Sequence, residues 1–171
     1  MAADSNGHVV CIRSITKATA PGLRIGALVA RGAVLARLAA SRSVSDFFVP
    51  GPIQETAVET LHSPGWARHV KLLRTTLRER RDAMVAAVRR QLGEESLTTI
   101  PLGGMHLWVR LPDQVDDVAL AARLAASKVI VNPGRRWFPA EPTGSYLRLS
   151  YAGAPPDLIA KGVAAVARAI S

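Results

Sequence analysis

Cysteine is almost absent: Cys11 is the only one in 171 residues, so no internal disulfide can form and a disulfide-stapled secreted scaffold is excluded. The four histidines, at positions 8, 62, 69 and 106, include no close pair at metal-ligand spacing, and a single thiol cannot complete a zinc site; no metal is expected. No apolar stretch approaches the ~18–20 uninterrupted residues that cross a bilayer; the run Ile25 to Ala30 soon meets Arg31. The opening MAADSNGH is neither basic nor apolar, as a secretory signal would be, which points to a soluble, cytoplasmic protein with no membrane partner. Aromatic residues make up only 5% of the chain. Lysine is scarce as well, at positions 17, 71, 128 and 161 only, so amine chemistry has few places to occur.

What remains is ordinary for a folded domain. Hydrophobic residues account for 49% and charged residues for 20%, enough apolar material for a core and for one domain or slightly more. Arginine dominates the basic residues, and 22 Lys+Arg against 13 Asp+Glu leave a net charge of +9. Such a surplus suits anionic partners, whether phosphates, carboxylates or nucleic acid, without choosing among them.

Val9 to Arg13 and Leu23 to Ala30 are short apolar, β-branched runs that predict buried strands, separated by the turn-like segment SITKATAPG. Gly32 to Ala40 predicts a helix ending before SRSVSD, and PGP at 50–52 predicts a break. Ile53 to Leu61 is helical in pattern, and Ser63 ahead of Pro64 looks like an N-terminal cap for the next helix. That helix is the clearest: Trp66, Val70, Leu73, Leu77, Met84, Val88 and Leu92 recur at helical spacing, and Gly93 supplies a stop. Beyond residue 96 the pattern predicts strands at 97–100, 106–111, 129–131 and 146–151 and helices from Val115 to Ala126 and from Pro155 onward. This alternation implies an α/β or α+β sandwich, with a domain boundary inside the long basic helix that divides the chain into residues 1–75 and 76–171. The loop PGRRWFPAEPTG at 133–144 is long enough to suspect of function.

The densest chemistry lies in Ser14-Ile15-Thr16-Lys17-Ala18-Thr19-Ala20-Pro21-Gly22-Leu23-Arg24. Lys17, shielded by strands and close to Arg24, would lose proton affinity and become a nucleophilic amine. Ser14, Thr16 and Arg24 offer the donors that a phosphate requires. An imine-forming lysine beside such donors is what pyridoxal phosphate needs, although an arbitrary S-x-x-K taken alone is far more often a solvated surface turn. The serine-acylase reading of S-x-x-K requires S-D-N and K-T-G further on, and neither occurs.

SITKATAPGLRIGALVA resembles the lysine segment of fold-type I pyridoxal phosphate enzymes, in particular the aminotransferase class I/II group and the aminotransferase-like domain of MocR regulators in the GntR family. PLGGMHLWVRLP at 101–112, VNPGRRWFPAEP at 131–142 and SYLRLSYAG at 145–153 are similar to the family's later motifs, in the same order. VSDFFVPGPIQETAVE and the FPAEPTGSYLRLSYAGA ending incline the resemblance toward the MocR branch. The resemblance implies an α/β fold: the end of the large cofactor domain, with parallel-type sheet strands, joined by a long helix to a small α+β C-terminal domain. Lys17 would form the Schiff base with pyridoxal 5'-phosphate and relay protons, Ser14 and Arg24 would hold the cofactor phosphate, and Arg148 would pair with the carboxylate of an amino acid or amine ligand.

The family's aspartate at the pyridine nitrogen, its ring-stacking aromatic and its glycine-rich phosphate helix precede the lysine strand, whereas only 16 residues precede Lys17 here. The chain therefore looks like a C-terminal portion of such a domain. In an intact parent it implies a homodimer, and DNA binding only through a separate winged-helix domain outside this chain. Three readings stay open: a ligand-sensing regulator domain, a true aminotransferase, and a remnant that binds no cofactor. With neighbouring strands absent, the first two strands would expose apolar edges. The arginines of the long helix are expected to be solvated, His106 to be a packed strand histidine, and Trp108, Trp137 and Phe138 to anchor the core or loop rather than to stack on a ligand.

Overall fold

The computed structural model describes residue 4, residues 6–45 and residues 48–170. Asp46 and Phe47, part of the VSDFFVPG segment that carries the regulator resemblance, lie outside the described residues. The chain divides into two units, Met1–Leu73 and Arg74–Ser171.

In the first unit, strands β1 (Cys11–Ser14) and β2 (Gly26–Val29) pair antiparallel, Cys11 opposite Val29 and Ser14 opposite Gly26. Helices α1 (Gly32–Ser45) and α2 (Gly51–His62) follow, and α3 (Trp66–Leu92) begins here. Four expectations are corrected, the last two together. The strands were expected to be of parallel type, but the short connection between them permits a ribbon of two antiparallel strands, whereas a parallel pair needs a crossover of a dozen or more residues. They were also expected to be buried; instead no residue of β1 or β2 is buried, and Ile12 is 74% exposed, because no second layer of described residues in the first unit covers the ribbon. The expected exposure of apolar strand residues is observed, in Val9, Val10, Ile12, Leu28 and Val29. Third, α1 runs through the SRSVS stretch to Ser45, and Ser63 does not cap α3. Its hydroxyl donates to the Thr60 carbonyl at 2.8 Å, closing α2 behind it.

The second unit holds the core. Strands β3 (His106–Arg110), β4 (Asn132–Pro133) and β5 (Tyr146–Ser150) form an antiparallel sheet in the order β3-β5-β4. Helix α4 (Asp117–Ala126), helix α5 (Pro156–Ile170) and the C-terminal half of α3 supply the other core residues. Alternation decides which residues go inside: Leu107, Val109, Leu147 and Leu149 are buried, whereas His106, Trp108, Tyr146 and Arg148 occupy the opposite face. Met84, Val85, Ala87 and Val88 of α3, Leu120 and Leu124 of α4, and Ile159, Val163 and Val166 of α5 complete the cluster with Tyr151. Residues 97–100 form no strand, and the strand expected at 129–131 appears instead at Asn132–Pro133. Lys128 and Val129 still close the end of α4 through the Ala125 and Leu124 carbonyls, so the chain straightens only afterwards.

The arginines of α3 are not all solvated. Arg81 donates to the carbonyls of Pro101 and Leu102, both at 3.1 Å, and Arg80 donates to the Ala152 carbonyl. These bonds tie the segment before β3 and the segment after β5, which leave the same end of the sheet, to the helix. No helix among the described residues is long and apolar enough to cross a membrane.

Candidate functional site

The Lys17 loop is closed by its own backbone. The amides of Ile15 and Thr16 donate to the Ile25 carbonyl, and those of Ala18 and Thr19 donate to the Ile15 carbonyl. The hydroxyls of Thr16 and Thr19 donate to these same two carbonyls, so Thr16, expected to serve a phosphate, braces the turn instead. From the start of α3, His69 Nε2 reaches the Ala18 carbonyl at 2.6 Å and so fixes the residue next to Lys17. A turn of 3-10 helix, Pro21–Leu23, delivers the chain to Arg24, whose φ of 50° is left-handed. A non-glycine residue held there carries strain of the kind found at ligand sites.

Ser14, Lys17 and Arg24 come out on this one loop, all exposed, and none of the three side chains is engaged in a hydrogen bond or ion pair with a described residue. The shielding expected to desolvate Lys17 is absent among the described residues of the first unit, where both strands of the ribbon are left uncovered. The loop thus presents a primary amine, a hydroxyl and a guanidinium with their donors uncommitted. That donor set fits a phosphorylated aldehyde: the amine for the carbonyl carbon, the others for the phosphate.

The second unit holds Arg148 on the central strand, with Trp108 directly opposite on β3 and Asn132 opposite on β4. Its guanidinium lies 3.6 Å from the centroid of the Trp137 ring. Trp108 stacks on Tyr146 with centroids 5.2 Å apart, and Phe138 packs against both at 5.7 Å. Trp137 is a platform for a cation rather than a core anchor, and it is 52% exposed. Arg148 Nε is buried and has no hydrogen-bond partner among the described residues. A buried donor without an acceptor is costly, and a ligand carboxylate meeting the guanidinium edge-on would remove that cost.

Sequence reasoning did not foresee how Trp137 is held in place. The 3-10 turn Gly134–Trp137 is anchored through Arg135, whose amide donates to Asp117 Oδ2 at 2.9 Å and whose Nε donates to Asp117 Oδ1 at 2.6 Å. Asp117 is 2% exposed at the start of α4. The hydrogen bond to Asp117, with the charges of Asp117 and Asp116 behind it, holds the Arg135 guanidinium above its ordinary value. Asp116 caps α4 by accepting from the Ala119 and Val118 amides, and these bonds lower its carboxyl below the usual range. The only signal in the sequence was the pair Asp116-Asp117 at a helix start, which reads equally well as capping alone.

Gly134 touches β5 so closely that a Cβ there would stand 2.5 Å from Tyr146 Cβ and 2.7 Å from its carbonyl oxygen. Gly134→Ala is therefore expected to push the turn off the strand and lower stability by about 2 kcal/mol, as overpacking commonly does. Urea denaturation checks this, and an unchanged midpoint would mean the turn relaxes freely.

The family model "Aminotransferase class I and II" matches residues 1–166. The HTH-type transcriptional regulator YdfD of Bacillus subtilis is 32% identical over 160 residues, covering 94% of this chain and 33% of the regulator. The HTH-type transcriptional regulator TauR of Rhodobacter capsulatus is 34% identical over 168 residues, covering 98% of this chain and 34% of the regulator. Among solved structures, kynurenine aminotransferase from Pyrococcus horikoshii superposes with a TM-score of 0.84 at 27% identity, over 98% of this chain and 41% of that one. The chain thus spans about a third of each regulator and 41% of the solved enzyme.

Proposed function

Because this chain belongs to the aminotransferase class I and II family, we propose that it is the C-terminal part of an aminotransferase-like, ligand-sensing domain of a MocR-type regulator in the GntR family. In this reading Lys17 holds pyridoxal 5'-phosphate covalently, Ser14 and Arg24 bind its phosphate, and Arg148 takes the carboxylate of an amino acid or amine-bearing acid. Residues 1–75 belong to the large cofactor domain, and residues 76–171 form the small domain. The bound cofactor would supply an electron-withdrawing ring able to delocalise charge from an attached amine. The protein's residues do the rest: Lys17 Nζ is the amine that carries or moves a proton, Arg24 neutralises the phosphate, and Arg148 orients the ligand by a planar fork. The intact parent is expected to be a cytoplasmic homodimer that meets DNA through a separate winged-helix domain.

One observation carries the ligand half of this reading: the buried, partnerless Nε of Arg148 on the open face of its sheet. The two regulators, which this chain matches over almost its whole length, favour sensing over turnover. A second reading, a catalytically competent aminotransferase, is favoured by the structural likeness to kynurenine aminotransferase. A sensing switch further requires that ligand bind one conformation better than another.

The test is cofactor addition. Pyridoxal phosphate added to the chain is expected to give a visible absorption band that Lys17→Ala abolishes, and borohydride reduction followed by peptide mapping is expected to place the adduct on Lys17. Adduct spread evenly over Lys17, Lys71, Lys128 and Lys161 would leave the remnant that binds no cofactor as the correct reading. Turnover of an added amino acid by the loaded parent would choose the enzyme over the sensor.

A further inference from the structure

The second unit holds a second basic site, built from residues other than Arg148. A cleft of about 410 Å³ opens between α3 and the loop before β3, lined by Arg74, Leu77, Arg78 and Arg81 on one side and Leu102, Gly103, Gly104 and Tyr151 on the other. Arg74, Arg78 and Arg81 occur at i, i+4 and i+7, so they share one helix face. Their roles differ. Arg81 is spent on the Pro101 and Leu102 carbonyls and on Asp82, whose Oδ1 lies 2.7 Å from its Nη2. It builds the wall. Arg74 and Arg78 are exposed and make no hydrogen bond or ion pair with any described residue.

The opposite wall suits an anion for separate reasons. Leu102 projects almost wholly into solvent at 99% exposure. Gly103 has no atom within 4 Å of where a Cβ would stand, and Gly104 takes a φ of +97°, a left-handed conformation that glycine adopts without strain. The amides of both glycines donate to no described residue. The floor is Tyr151, 1% exposed, whose hydroxyl donates to the Gly103 carbonyl at 3.3 Å; burial pushes this phenol above its ordinary value. No carboxylate is among the residues that line the cleft, and Asp82 balances Arg81.

We propose that this cleft binds a small phosphorylated ligand, its phosphate held by Arg74 and Arg78 with the Gly103–Gly104 backbone, and its organic part lying between Leu77 and Leu102. The choice of phosphate over carboxylate follows from valence. A carboxylate is satisfied by a single arginine fork, whereas a phosphate presents three oxygens and up to two charges, and so takes two guanidinium groups and backbone donors at once. The site needs neither Lys17 nor Arg148, so it stands whether or not the cofactor reading does. Its position does place it next to that reading, because the loop that forms it runs directly into β3, where Trp108 faces Arg148.

Inorganic pyrophosphate is the probe, titrated into the whole chain at low salt and followed by amide NMR and calorimetry. Saturable one-to-one binding is expected, with the Gly103 and Gly104 amides shifting and acetate at least about tenfold weaker. Arg74→Ala and Arg78→Ala should each weaken pyrophosphate about tenfold, the amount expected for one charge-assisted contact. Both side chains are exposed and without partners, so neither variant is expected to disturb folding. Lys161→Ala, which removes a positive charge elsewhere in the same unit, should leave the affinity within about twofold. An equal response to acetate, or no effect of the two arginine variants, overturns the proposal. Length-dependent binding of a DNA duplex without saturable pyrophosphate binding also overturns it, assigning the stripe to a nucleic-acid backbone.

Discussion

Arg148→Met is expected to weaken amino-acid binding by the cofactor-loaded protein about a hundredfold while raising the melting temperature of the free chain. The binding loss follows from deleting a two-pronged, charge-assisted contact, for which ~2–3 kcal/mol, or about a hundredfold, is ordinary. The opposite effect on stability follows from the buried Nε, which has no acceptor among the described residues. Relieving an unsatisfied donor returns ~1–3 kcal/mol. Against this stands the lost contact with Trp137 at 3.6 Å, worth ~0.5–1 kcal/mol for a half-exposed cation–ring pair. The first exceeds the second, so a net gain of about 1 kcal/mol is expected. Arg148→Lys should not restore binding, because an ammonium keeps the charge but loses the planar fork. Calorimetric titration and thermal unfolding read the two effects separately. Binding that survives within about threefold would remove Arg148 from the site, and a lowered melting temperature would mean that Trp137 outweighs the orphaned donor.

Asp117→Ala is expected to be the most damaging single change in the second unit outside its apolar core, at about 2–3 kcal/mol. The carboxylate is buried and accepts from both the amide and the Nε of Arg135. Its removal strands the amide donor that fixes the 3-10 turn, and charge-assisted bonds of this kind carry ~1.5–3 kcal/mol. The Arg135 side chain is half exposed, so solvent screens its share and the figure rests on the buried carboxylate and the backbone amide. Because the turn carries Trp137, the variant should also free that ring from Arg148 and alter tryptophan fluorescence at denaturant concentrations where the sheet is still folded. Asp117→Asn, which keeps the shape and one acceptor, should lose about half as much. A loss below about 0.5 kcal/mol for the alanine variant would show that the turn is held by other contacts.

The two variants bear on each other. In the proposed reading Arg148 holds the ligand, and Asp117 acts on it only through Arg135 and Trp137. Loosening the turn should therefore weaken ligand binding less than deleting Arg148 does, and should do so together with a fall in stability.

Local physics in the sequence determined much of this protein. The long amphipathic helix closes at Gly93 as its spacing requires, since an apolar stripe and a glycine stop are properties of one segment alone. The alternation in β3 and β5 decided which side chains face the core, because period-two patterning needs no partner to be read. The lysine loop was legible as well, its residues lying close together along the chain. Distant groups decided the rest. Whether the first two strands would be buried depended on layers that cover them, and the described first unit supplies none. The 97–100 segment has β-branched residues but no neighbour to pair with, so strand propensity alone did not make it a strand. Arg148 could be placed on the outer face from its neighbours in sequence. Its orphaned Nε, the ring of Trp137 beneath it and the Asp117 anchor 18 residues away from Arg135 arise only when separate segments pack, because a side chain's partners are set by tertiary neighbours that no local pattern encodes.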